Sequence, residues 1–104
     1  MAEYIPTPGG GSALQEQKQA VRPRRYKVLM HNDHYTTMDF VVLVLKRVFQ
    51  KSSDQANTIM LSVHRSGVGV AGVYPKSLAE AKIETVHQLA KEKGFPLKCS
   101  MEKE

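Results

Sequence analysis

Four histidines and one cysteine are the side chains of this 104-residue chain most able to do chemistry near neutral pH. His31 and His34 form an H-x-x-H pair. That spacing places two rings on one side of a helix, but at a strand-to-turn junction it does not, and only Asp33 stands nearby as a further metal ligand. Cys99 falls on an inward position of an alternating segment, where a thiol behaves as a small buried hydrophobe. No G-x-S-x-G, Walker loop or G-x-G-x-x-G is present, and Gly67-Val68-Gly69 lacks the Lys-Ser/Thr that gives a phosphate loop its meaning. No nucleophile, base and oxyanion site can be assembled, so the sequence points away from an enzyme and calls for no cofactor or metal. What remains has binding character. Asn32, Asp33, His34, Tyr35 and Thr36 crowd one junction, and His64 closes a later segment. The same residue types also serve as plain turn formers and helix caps, and spacing alone does not separate the two roles.

The elements that must position these residues can be read from periodicity. Tyr26 to His31 is rich in strand formers and ends at the turn pair Asn32-Asp33. Thr36 is expected to open a helix, with Asp39 completing a capping box and Met38, Val41, Val42, Leu45, Val48 and Phe49 on its apolar face. Leu43 and Val44 make the other side apolar too, which predicts a widely buried helix. Ser52 with Gln55 starts a second helix carrying Ile59, Met60 and Val63, and Gly67 stops it. Val68 to Tyr74 reads as a strand whose Gly69 and Gly72 suggest a bulge or a close backbone approach. Ser77 with Glu80 marks a third helix, with Ala79, Ile83, Val86 and Ala90 facing inward and Gly94 and Pro96 ending it. Leu97, Cys99 and Met101 alternate as a last strand. The order β-α-α-β-α-β predicts an α+β two-layer sandwich, a three-stranded antiparallel sheet with three helices on one face.

Composition narrows the setting. Residues 1–25, with Pro6, Pro8, Pro23 and the Gly9-Gly10-Gly11-Ser12 run, read as a flexible N-terminal extension, leaving 26–104 as a single core domain. The formal net charge is +5, with four basic and two acidic residues in 1–25 and eleven against eight in the remainder. An excess so spread, with no Trp, lacks the dense basic stripe and stacking aromatics of a nucleic-acid binder. The longest apolar run, Phe40 to Leu45, is too short to span a bilayer, and no signal-peptide pattern opens the chain. One cysteine allows no internal disulfide. A monomer acting in the cytoplasm, away from membranes, is expected.

Three separated blocks resemble the ClpS family of Clp protease adaptors. Tyr26 to Val41, containing Asn32-Asp33-His34-Tyr35-Thr36-Thr37-Met38, is similar to the family's first strand and pocket loop. Ile59 to His64 is similar to its pocket-closing helix, and Gly72-Val73-Tyr74, Ala79 to Lys82 and Pro96 to Cys99 follow in the family's order. The resemblance covers nearly everything from Tyr26 to Glu102.

The resemblance implies an adaptor that binds proteins with a bulky hydrophobic N-terminal residue (Leu, Phe, Tyr or Trp) and delivers them to a ClpA- or ClpC-type unfoldase for degradation by ClpP. It implies that Asn32 and His64 hold the substrate's α-amino group, that Asp33 and His34 belong to the same polar rim, and that Thr36 helps fix the first peptide unit. Met38, Val41, Met60, Val63 and Leu97 would line a pocket for the first side chain, and Glu80 and Lys82 would meet the unfoldase N-terminal domain. The extension before Tyr26 corresponds to one that takes part in delivery. Two residues depart from the pattern. His34 stands where many members have an acid, which removes a negative charge beside a cationic ligand. Ser77 stands where some relatives place an acid at the unfoldase contact. A ribosome- or RNA-associated module is the alternative, because the stalk protein's C-terminal domain resembles the same layout; an amine-binding rim over an apolar pocket separates the two.

Overall fold

The computed structural model describes residues 24–104. The expectation of a flexible segment over 1–25 lies outside these residues, apart from Arg24 and Arg25. The elements run β1 (Arg25–His31), α1 (Met38–Arg47), α2 (Ser53–Ser66), β2 (Val68–Pro75), α3 (Lys76–Lys93) and β3 (Lys98–Lys103). β1 lies in the middle of a three-stranded sheet of order β2-β1-β3, paired antiparallel on both sides. The α+β order and the sheet are those the periodicity implied.

Alternation along β1 sends Val28 and Met30 into the core, both fully buried, and leaves Lys27 and Leu29 toward the other face. Phe40, Val41, Val44 and Leu45 of α1, Ala56 and Val63 of α2 and Ala79, Val86 and Ala90 of α3 fill the layer between helices and sheet. Phe40 meets Phe95 with ring centroids 4.9 Å apart. The register between β1 and β2 shifts between Val28 and Leu29: Val28 opposes Gly72 and Leu29 opposes Val70, so Ala71 is the extra residue of a bulge. Gly69 answers to close approach, since a β-carbon there would lie 2.8 Å from Val63 Cγ2. That contact seats α2 on β2.

The helix ends differ from expectation in two places. α1 is capped by Thr37, whose Oγ1 accepts from the Phe40 amide at 3.1 Å. Thr36 does not cap it, because its hydroxyl and amide are both engaged by Asp33. α3 starts directly after β2 with Pro75 at its N-cap and no side-chain cap, so Ser77 and Glu80 form no capping box. The helix begins at Lys76, one residue before Ser77, which places Ser77 inside the first turn. Ser52 and Gln55 do form a reciprocal box at α2, and Gly67 ends that helix at φ 88°. The wide burial expected of α1 holds for Val44 but not for Leu43, which is 38% exposed.

Candidate functional site

Between β1 and α1 the chain spends six residues, Asn32 to Thr37, outside any regular element. Asp33 ties this loop into a knot. Its Oδ1 accepts from the amides of Tyr35 (2.8 Å) and Thr36 (2.6 Å), and its Oδ2 accepts from the Thr36 hydroxyl (2.8 Å). Burial alone would raise the Asp33 carboxyl, but the three hydrogen bonds and neighbouring His34 outweigh it and hold the group below its ordinary value. Asp33 is therefore an anion at neutral pH whose acceptor capacity is largely committed to the loop. At the loop's start the Asn32 amide donates to the Gly67 carbonyl at 3.0 Å. Gly67 in turn closes α2 through its amide to Val63 O at 3.0 Å. These two bonds draw Asn32 toward the C-terminal turn of α2, where His64 lies.

The result is a cavity of about 400 Å³ between the loop, α1 and α2. Asn32, Asp33, His34, Tyr35, Thr36, Thr37 and His64 form its polar rim, and Met38, Val41, Met60 and Val63 supply apolar wall. Met38 is 46% exposed because it faces this space and not the core. Nine residues to which the resemblance gave a role thus come together here: Asn32, Asp33, His34, Thr36, His64, Met38, Val41, Met60 and Val63. Leu97 does not line the cavity. It is 3% exposed and borders a separate depression with His87, Phe95 and Cys99. Thr37 also lines the cavity without having been singled out; its signal was the Thr37–Phe40 spacing of an N-cap, masked by the adjacent Thr36.

Glu80 and Lys82 lie on α3, outside the cavity. Glu80 is exposed. The Lys82 ammonium is engaged within the fold: it donates to Val48 O at 2.6 Å and Gln50 Oε1 at 3.2 Å, and lies over the rings of Phe49 and Tyr74. It satisfies a carbonyl at the C-terminal end of α1, where a cation is also favoured by the helix dipole.

The remaining histidines are spent on structure. His31 Nε2 meets Ser100 Oγ at 2.7 Å across the sheet, apart from His34 on the cavity rim. His87 Nε2 accepts from the Cys99 amide at 3.0 Å. Burial pushes the Cys99 thiol up to about 12, leaving it protonated and unreactive. Among the described residues no three His, Cys, Asp or Glu side chains gather as a metal site, and no helix is long and apolar enough to cross a membrane.

An anionic loop, paired polar side chains and an apolar recess can together hold a small cation attached to a hydrophobic group. The chain is similar to known proteins. Residues 21–100 match the family model described as ATP-dependent Clp protease adaptor protein ClpS. A relative from Desulfatibacillum aliphaticivorans, named ATP-dependent Clp protease adapter protein ClpS, is 63% identical over 95 residues, covering 90% of this chain and 91% of its own. One of the same name from Lawsonia intracellularis is 55% identical over 93 residues, covering 89% and 85%. The structure of Agrobacterium tumefaciens ClpS2 bound to L-phenylalaninamide superposes with a TM-score of 0.76 at 43% identity, over 80% of this chain and all of that one.

Proposed function

This chain belongs to the ClpS family of Clp protease adaptors, and from that premise we propose that it captures proteins by a free N-terminal Leu, Phe, Tyr or Trp and delivers them, in the cytoplasm, to a ClpA- or ClpC-type unfoldase. The observation that carries this reading is the division of one cavity into an apolar wall and a polar rim. Phenylalaninamide, the ligand of the structural relative, has the matching parts: a ring, a free amine and an amide in place of the first peptide bond.

In this reading the first side chain enters between Met38, Val41, Met60 and Val63. Burying a Leu or Phe side chain there contributes about 1.5–3 kcal/mol. Asn32 and His64 pair with the α-ammonium and the first peptide unit. Asp33 supplies negative charge to the rim and holds the loop. The Thr36 hydroxyl donates to Asp33 and keeps lone pairs free to accept from the second residue's amide. His34 lines the same rim. An acetylated or internal residue is rejected because it leaves the rim's polar groups unpaired. A β-branched first residue places bulk at the mouth beside Met38, so Ile and Val fit worse than Leu. Glu80 with Lys82 marks the helix that meets the unfoldase N-terminal domain, Lys82 by fixing the Val48–Gln50 corner.

Delivery is tested with purified ClpA or ClpC, ClpP, ATP and a stable reporter beginning with Leu or with Ala. The expected result is adaptor-dependent loss of the Leu reporter alone. Equal turnover of both reporters with and without the protein overturns delivery.

A further inference from the structure

Tyr35 is the most exposed large hydrophobic side chain among the described residues, at 77%, and it lines the cavity beside Met38. Among those residues the aromatic pairs are Phe40–Phe95 and Phe49–Tyr74, so the Tyr35 ring stacks on no other. Its backbone, by contrast, is fixed. The Tyr35 amide is held by Asp33, the next amide is held by the same carboxylate, and Thr37 then caps α1. A bare aromatic face on an immobilised backbone is a preorganised contact, since little further ordering is needed when something lies against it.

The cavity indicates what that contact is. A first residue with its side chain between the helices and its amine at the rim must lead its chain out through the mouth. The next α-carbon follows about 3.8 Å on. Tyr35 and Met38 are the cavity's exposed large hydrophobic residues. We infer that Tyr35 is a specificity-determining platform for the substrate's second residue, and that this chain prefers Phe, Tyr or Trp there. The inference rests on the adaptor reading of the cavity. A flat apolar side chain is favoured over a basic one because the carboxylate that lines the cavity, Asp33, already accepts three hydrogen bonds. The other ionisable groups on the rim are His34 and His64, which offer a basic side chain no attraction.

The test uses fluorescent peptides that begin Leu-Phe-Ser, Leu-Ser-Phe and Leu-Ser-Ser, with free and acetylated amines, against the full chain and its Tyr35→Ala and Tyr35→Phe variants. The unmodified chain is expected to bind Leu-Phe-Ser about threefold to tenfold more tightly than Leu-Ser-Ser, the scale of an aromatic pair. Tyr35→Phe retains that preference and Tyr35→Ala loses it, while all three proteins still require the free amine and share one melting temperature. A preference that survives in Tyr35→Ala, or that follows the aromatic to position three, overturns the platform but leaves the adaptor reading standing. Indifference of the unmodified chain to acetylation overturns both.

Discussion

The chain passes from strand to helix twice, and the two junctions are built in opposite ways. Between β1 and α1 it spends the six residues Asn32–Thr37, cross-linked by the Asp33 carboxylate and closed by a Thr37 cap. Between β2 and α3 it spends none: Pro75 ends the strand and is also the N-cap, with no side-chain hydrogen bond. The direct junction packs α3 against the sheet. The long one holds α1 away from the end of β1, and α2 with His64 closes the gap. A cavity in so small a fold comes from spare backbone, kept rigid by side-chain acceptors in place of a regular hydrogen-bond ladder.

That contrast can be broken most severely at the cavity. His64→Ala is expected to weaken binding of a free Leu-initiated peptide by about 1.5–3 kcal/mol, the range for hydrogen bonds to charged groups, with little change in melting temperature because His64 is exposed. Titration of the variant checks it. Asp33→Ala releases two amides and a hydroxyl, so a stability loss of about 1–2 kcal/mol, the upper range for a lost cap, should accompany several-fold weaker binding. Denaturant melts and titration together measure both. Lys82→Met removes the ammonium from the Val48 carbonyl at the far end of α1. About 1 kcal/mol of stability should be lost while peptide binding is unchanged, which separates the ends of that helix.

Acid acts on the long junction through Asp33. The Asp33 carboxyl lies below its ordinary value in the fold, so its stabilising contribution is fully present above the unfolded-chain value and is lost as pH falls through the lower folded one. Melts from about pH 5 downward should therefore show a steeper acid limb for the unmodified chain than for Asp33→Asn. The smallest effect belongs to the direct junction. Because Ser77 forms no capping box, Ser77→Ala should shift stability by less than about 0.5 kcal/mol; a loss of a full cap's value would show that the direct junction is capped after all.

Legibility in the sequence followed the same division. Where one side chain and one turn decide the outcome, as at Ser52–Gln55 and Gly67, local pattern sufficed. The two misplaced helix starts have a common cause. Thr36 and Ser77 both carry the hydroxyl and the acid three residues on that a cap requires, but tertiary structure had prior use of the position: Asp33 took Thr36, and the strand running straight into α3 put Ser77 inside the first turn. Family resemblance brought nine site residues to one cavity, because pocket residues clustered in two short segments travel together. Leu97 comes from a third, distant segment, and its placement depends on how Phe95 packs on Phe40. The resemblance marks Lys82 as an unfoldase contact, and sequence cannot show that the end of α1, thirty-four residues earlier, supplies an acceptor for its ammonium.

A cavity with this rim and wall should read a free amine and an apolar side chain together. Fluorescence anisotropy with three peptides that differ only at the start, beginning with Leu, N-acetyl-Leu and Ala, tests it most directly. The free Leu peptide alone should bind tightly. Equal binding of all three, or of none, would contradict it.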